Sequence, residues 1–302
     1  MLEPVLHSVQ LPDPDWIDWK RDSRLPKFIL PSGSVDAHCH VFGPKAQFPF
    51  ASDRRYTPTD ATFEDLMTIN AKLRISRNVI VQASCHGVDN SALLDALQRS
   101  QGLARGVVSI NPGIDDRSLS KMHSFGVRGV RLNFVSRLVS LQDDSYYLEI
   151  AKIAKKMNWH LVVYLENRDL RDRIELLEKL DTLVLFDHMG RPDITQGLAG
   201  KDFEFFLNAL GKNSNFWVKI SGPERMSTNG SSNFSDVTPF ASYLVTRFSD
   251  RVLWGTDWPH PNMKKCAPDD GELVDWIPAF APDTHIQQQM LVENPHNLYW
   301  SE

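Results

Sequence analysis

Residues 34–42 read SVDAHCHVF. If this apolar run is a strand, His38 and His40 share one face and Cys39 takes the other. Two imidazoles buried at one strand end need partners. Their nitrogens suit two kinds of work there: holding a divalent metal, or donating to a carbonyl that becomes an oxyanion. A third imidazole, His188, lies in DHMGRPD beside Asp187 and Arg191, and a carboxylate, Asp257, lies in WGTDWPH. Asp257 suits a helix cap, a general base toward water, or a metal ligand. His38, His40, His188 and Asp257 form the candidate catalytic set, and the ligand set if a divalent ion is bound. Residue types alone do not choose between the two.

Arg131, Arg137, Arg191 and Arg225 fall at or just beyond the ends of other apolar runs. Guanidinium groups grip carboxylates bidentately, so four near one pocket predict a substrate with more than one anionic group. The competing reading is a set of structural ion pairs with acids such as Asp193 and Glu224. Ser84 and Tyr164 end two further runs. His86, His260 and Glu166 are expected to support the site from behind. His123 and His160 receive no role, and Trp254 and Trp258 are read as packing.

Something must bring these residues together. Short β-branched runs occur at 34–42, 78–84, 104–111, 127–134, 160–166, 181–188, 216–222 and 251–257. Stretches with helical spacing, such as LLDALQRS and YYLEIAKIAKKM, lie between them. Near-continuous apolar strands alternating with helices predict a parallel sheet covered on both faces. Eight such units fit a single (β/α)₈ barrel over residues 34–302, whose active site lies at the C-terminal strand ends. An open doubly wound sheet is less favoured, because no glycine-rich nucleotide loop follows any strand. Residues 1–33 read as an irregular N-terminal extension that wraps the surface, covering the barrel's bottom or making a subunit contact.

The chain has 302 residues, 42% hydrophobic and 24% charged, with a formal charge of −5. No basic footprint for nucleic acid is present, and no apolar run approaches bilayer length. Cys39, Cys85 and Cys266 are scattered and odd in number, which fits a reducing cytoplasm better than a disulfide framework. The oligomer is left open between a monomer and a small homo-oligomer.

The H-x-H after the first strand and the late-strand aspartate resemble the amidohydrolase superfamily. The stretches VDAHCHVFGP, RNVIVQASCHG, GVRGVRLNFV, DHMGRPD, PERMS and RVLWGTDWPHPN resemble, in that order, the lactonases of bacterial lignin-derived aromatic degradation. The resemblance implies hydrolysis of a small anionic lactone. Asp257 would activate water, and His38, His40 and His188 would polarise the carbonyl. Ser84, Arg131, Arg137, Tyr164, Arg191 and Arg225 would hold the carboxylates and the ring. It implies no required cofactor; the alternative is a Zn²⁺-dependent hydrolase of a sulfonated lactone, with a non-catalytic dicarboxylate-binding protein as the reading from another class. Ser136 and Gly222 stand where the family pattern has lysine and cysteine, which keeps the sulfonated substrate in view.

Overall fold

Each of the eight apolar runs contains a strand in the computed structural model, which describes residues 11–263 and 266–301. The first half runs β1 (Val35–Cys39), α1 (Phe63–Leu73), β2 (Arg77–Val81), α2 (Ser91–Arg99), β3 (Ala104–Val108), α3 (Asp116–Ser124), β4 (Val127–Asn133) and α4 (Asp144–Lys156). The second half runs β5 (His160–Tyr164), α5 (Leu170–Lys179), β6 (Val184–Phe186), α6 (Lys201–Lys212), β7 (Phe216–Ile220), α7 (Thr238–Arg247) and β8 (Val252–Trp254). Helices α8 (Asp270–Phe280), α9 (Thr284–Gln288) and α10 (Asn294–Tyr299) follow. Helix starts obey side-chain capping: Thr62 and Asp65 cap α1 reciprocally, and Asp143 and Asp269 cap α4 and α8.

All strand pairs are parallel, and sequence neighbours are spatial neighbours from β1 to β8. This is the expected (β/α)₈ barrel. The seam between β8 and β1 closes just past the strand ends. Asp257 N donates to His38 O and His40 N donates to Trp258 O, each at 2.8 Å. Asp36 pins the same seam: Oδ1 accepts from His38 N and Thr256 N at 3.0 Å, and Oδ2 accepts from Thr256 Oγ1 at 2.6 Å. Gly255 makes the approach feasible, because a Cβ there would lie 2.6 Å from His38 N and 2.7 Å from His38 Cβ.

β1 is not a regular strand. Its pairing with β2 slips by one residue between Asp36 and Cys39, which marks a β-bulge. Before the bulge, Val35 and Ala37 join the lumen cluster with Val79, Val81, Val107, Val162, Leu185 and Leu253. After it, Cys39 and Val41 pack into the outer core with the helices. The bulge therefore reverses parity and turns His38 and His40 into the lumen. At the N-terminal end of the barrel, Tyr299 of α10 joins the lumen cluster and its hydroxyl lies 2.9 Å from His160 Nε2.

Residues 11–33 form no helix or strand, yet they do more than wrap the surface. Trp16 stacks on Tyr56 at 5.7 Å, and buried Trp19 packs edge-on against Trp258 at 5.0 Å. Ser23 Oγ bonds Asp270 Oδ2 at 3.0 Å. These contacts put residues 16–23 against the C-terminal mouth, before the chain runs on to the start of β1. The tryptophans drive this, because each has a large apolar area to remove from water. The first ten residues of the expected extension lie outside the described residues.

The seam gives a stability prediction. Gly255→Ala is expected to cost about 1–3 kcal/mol through overpacking and to lower the thermal unfolding midpoint. An unchanged midpoint would mean the seam accepts a side chain.

Candidate active site

Asp257 lies three residues beyond β8 with φ +66°, and His188 lies two beyond β6 with φ +51°. Left-handed backbone is costly for non-glycine residues and persists where surroundings fix it. Here the Asp257 N–H bonds His38 O, and His188 Nδ1 lies 2.9 Å from Ser221 Oγ. Strand parity could not place either side chain, because both sit on turns. Asp257 Oδ1 lies 3.3 Å from His40 Nε2, 3.5 Å from His38 Nε2 and 4.0 Å from His188 Nε2. All four predicted residues are fully buried together.

The other carboxylate oxygen is held by Arg225. Nε and Nη2 both lie 2.5 Å from Asp257 Oδ2, and Nη1 donates to Pro261 O at 3.0 Å. Burial alone would raise the Asp257 carboxyl; the Arg225 guanidinium, helped by the imidazoles, holds it well below the usual carboxylate range. Burial pushes His38 down to about 4, with Lys219 adding to the fall and Asp187 opposing it. Burial also lowers His40 and His188. At neutral pH the site is an ionised carboxylate facing neutral imidazoles.

A neutral imidazole carries one N–H. His40 Nδ1 lies 2.7 Å from Val81 O, which only accepts, so the hydrogen sits on Nδ1. His40 Nε2 then faces Asp257 Oδ1 as one acceptor against another, a contact suited to a proton or a cation between them.

One layer deeper, Asp187 Oδ1 lies 3.0 Å from His38 Nδ1 and 3.2 Å from Lys219 Nζ, and its Oδ2 lies 3.6 Å from Arg131 Nη2. Asp187 and Lys219 were missed as site residues in the sequence. FWVKI reads as an ordinary apolar strand with one lysine; the available signal was that Lys219 and Ser221 share parity.

The four arginines do different jobs. Arg225, expected to bind substrate, holds Asp257. Arg131 donates to Gln82 O at 3.0 Å and lies 5.1 Å over the Tyr164 ring. Arg191 donates to Tyr164 Oη at 3.2 Å and Glu166 Oε1 at 3.3 Å, so the ion-pair reading applies to it. Arg137 is exposed.

The cavity over Asp257 is lined by His40, Ser84, Arg131, Arg137, Tyr164, His188 and Arg225. His38 lies beneath, and Arg191 stands outside, in an adjoining vestibule that shares Arg137 and Arg225 with the cavity. Ser84 opens a 3₁₀ turn rather than ending β2. Tyr56, absent from the sequence-based set, completes the wall from the β1–α1 loop, where no strand-end signal exists. Gly222 has φ +61°, and a Cβ there would lie 2.9 Å from His188 Nδ1 and 3.1 Å from Arg225 Cδ. A cysteine at 222 would displace one of them. Ser136 is exposed beside Arg137.

Ligand atoms from His38, His40 and Asp257 lie within 4.8 Å of one another, so the donor set fits a divalent ion in spacing and type. The charge around it is less accommodating. Arg131, Arg137 and Arg225 line the cavity, with Asp257 as the one acid among its lining residues.

Behind Arg225, buried His260 lies between Glu224 Oε1 at 3.4 Å and Asp270 Oδ1 at 3.0 Å. Burial would lower it, but Asp270 and then Glu224 raise it to about 10. Its backbone N donates to Asp257 O at 2.7 Å, so this imidazolium anchors the turn carrying Asp257.

Fold and site together define a barrel hydrolase with a buried aspartate among histidines. The chain belongs to the amidohydrolase family, which matches residues 35–300. It is 49% identical over 96% of its length to a 2-pyrone-4,6-dicarboxylate hydrolase of Comamonas testosteroni, covering 97% of that protein. It is 35% identical to a 4-sulfomuconolactone hydrolase of Hydrogenophaga intermedia, with 90% of each chain covered. A solved structure from Acinetobacter baumannii, described as a "probable 2-pyrone-4,6-dicarboxylic acid hydrolase" with citric acid bound, superposes with a TM-score of 0.78. That match has 25% identity and covers 89% of this chain and 100% of the other.

His260 supplies a pH prediction. Its raised pKa means its contribution to stability is full below pH 6.5 and is lost as pH rises through about 10. Urea unfolding across that window is expected to show a decline that His260→Gln flattens. Parallel curves for the two proteins would contradict the charged pair.

Proposed function

We propose that this chain hydrolyses the lactone ring of 2-pyrone-4,6-dicarboxylate to its open-chain oxalomesaconate-type product, in bacterial breakdown of lignin-derived aromatic compounds. The observation that carries the reading is the ionised Asp257 carboxylate, ringed by neutral imidazoles at the floor of an arginine-walled cavity. The relative at 49% identity supports the choice of substrate.

Water enters between Asp257 Oδ1 and the lactone carbonyl. Its oxygen adds to the carbonyl carbon while Asp257, backed by the His40 acceptor, takes the proton. The carbonyl oxygen becomes an oxyanion and is met by imidazole N–H groups at the buried floor of the cavity. The ring C–O bond then breaks, and the departing ring oxygen takes the proton back from Asp257. One carboxylic acid forms, its proton passes to solvent at neutral pH, and no atom is left over.

Arg225 poses an apparent difficulty, since it depresses the basicity the mechanism needs. An incoming carboxylate resolves it by competing for the guanidinium. Each bond drawn away from Asp257 lets burial push that carboxyl upward, toward a better base. The cationic excess that suits a dianion also works against a divalent ion, so the proposed chemistry runs on the protein's own groups. If Zn²⁺ were held, His38, His40 and Asp257, joined by His188, would bind it, and it would polarise the carbonyl or acidify water.

No helix among the described residues is long and apolar enough to cross a membrane; the compartment we infer is the cytoplasm.

Two lactones assayed with and without chelator test the reading. We expect turnover of the pyrone dicarboxylate that survives chelation and exceeds turnover of 4-sulfomuconolactone. Asp257→Asn should lower kcat by roughly 10²–10⁴-fold while ligand still binds. A preference for the sulfonated lactone, chelator-sensitive turnover, or binding without turnover in the parent protein would each overturn it.

A further inference from the structure

Lys219 is fully buried and does not line the cavity, so it meets no substrate. Its Nζ lies 3.2 Å from His38 Nδ1 and 3.2 Å from Asp187 Oδ1. Two groups of opposite demand thus compete for one nitrogen. Asp187 is an acceptor and asks for a hydrogen on Nδ1; Lys219 is a donor and asks for a lone pair there.

Geometry favours Lys219. Its contact with Nδ1 has hydrogen-bond alignment, whereas the Asp187 oxygens, though close, make no aligned hydrogen bond. Asp187 already has two cations beside it, Lys219 and Arg131. A lone pair on Nδ1 leaves the hydrogen on Nε2, which is buried, lacks a hydrogen-bond partner and lies 3.5 Å from Asp257 Oδ1.

We propose that Lys219 is a positioning residue that fixes His38 as the Nε2–H tautomer, making it a hydrogen-bond donor at the reacting carbonyl and denying a cation its Nε2 lone pair. Val81 imposes the opposite tautomer on His40, through the 2.7 Å bond from Nδ1 to the Val81 carbonyl. The two histidines of one motif therefore divide the work: His38 donates and His40 accepts. A metal ligand at His38 would need its hydrogen on Nδ1, turned toward Asp187, in the usual carboxylate–histidine arrangement. The ammonium blocks that arrangement.

The use made of this N–H rests on the lactone-hydrolase reading, but the tautomer belongs to the resting protein and is measurable without substrate. The test is two-bond ¹H–¹⁵N correlation on chelator-treated protein with ¹⁵N-labelled histidine, His38 and His40 being assigned from His38→Gln and His40→Gln spectra. The expected result is Nε2–H for His38 and Nδ1–H for His40. An Nδ1–H His38 overturns the proposal, whatever the enzyme hydrolyses.

Lys219→Met is the second arm. His38 is expected to convert to Nδ1–H, and Zn²⁺ to bind roughly tenfold tighter or more in a competition titration. kcat should fall by roughly 10²-fold with KM little changed, as for loss of one oxyanion donor. A folded variant that keeps Nε2–H on His38 overturns the assignment. If the variant does not fold, the parent spectrum alone still decides.

Discussion

Burying an ionised carboxylate costs several kcal/mol unless its charge is met, and Asp257 is buried at the centre of this barrel's mouth. Arg225 meets that charge directly on one oxygen. The other oxygen is left facing three imidazoles. The pair divides the carboxylate into a held side and a working side. The His260 imidazolium, clamped by Glu224 and Asp270, fixes the same turn from behind, and Trp19 of the N-terminal segment covers the neighbouring Trp258.

The barrel's closure and its chemistry share the same atoms. The backbone groups of Asp257, His38 and His40 that stitch β8 to β1 belong to the residues whose side chains meet above the lumen. The bulge in β1 costs a regular ladder and gains two histidines turned inward together. Below them, Arg131, Lys219 and Asp187 form a charged layer above the mainly aliphatic lumen cluster that ends on Tyr299. That layer sets the electrostatic background for the imidazoles, and the arginines lining the cavity above it suit a dianionic ligand.

Much of this was legible in the sequence. The eight apolar runs gave the strands, because strands buried on both faces read as continuous β-branched segments. His38, His40, His188 and Asp257 were identifiable as a set from their places at or beyond strand ends. The bulge was hidden, since strict alternation predicts the same shared face for His38 and His40 without it. The left-handed turns at His188 and Asp257 were hidden too, because no residue type there announces a positive φ. Lys219 was overlooked because a lysine in a strand is ordinarily a surface residue, and only the closed lumen makes it a buried charge. Arg225 was found, but only as a group for the substrate: spacing brought it to the mouth and could not say that it would also turn onto Asp257.

The dependence of kcat/KM on pH for Arg225→Met, set against the parent protein, tests most directly whether Asp257 is the base whose charge Arg225 controls. Removing a neighbouring cation raises a buried carboxyl, so the acid limb of the profile is expected to move to higher pH, apart from any uniform loss in rate. An acid limb that stays at the parent position while the rate falls would contradict the account and leave Arg225 as a substrate-binding group alone.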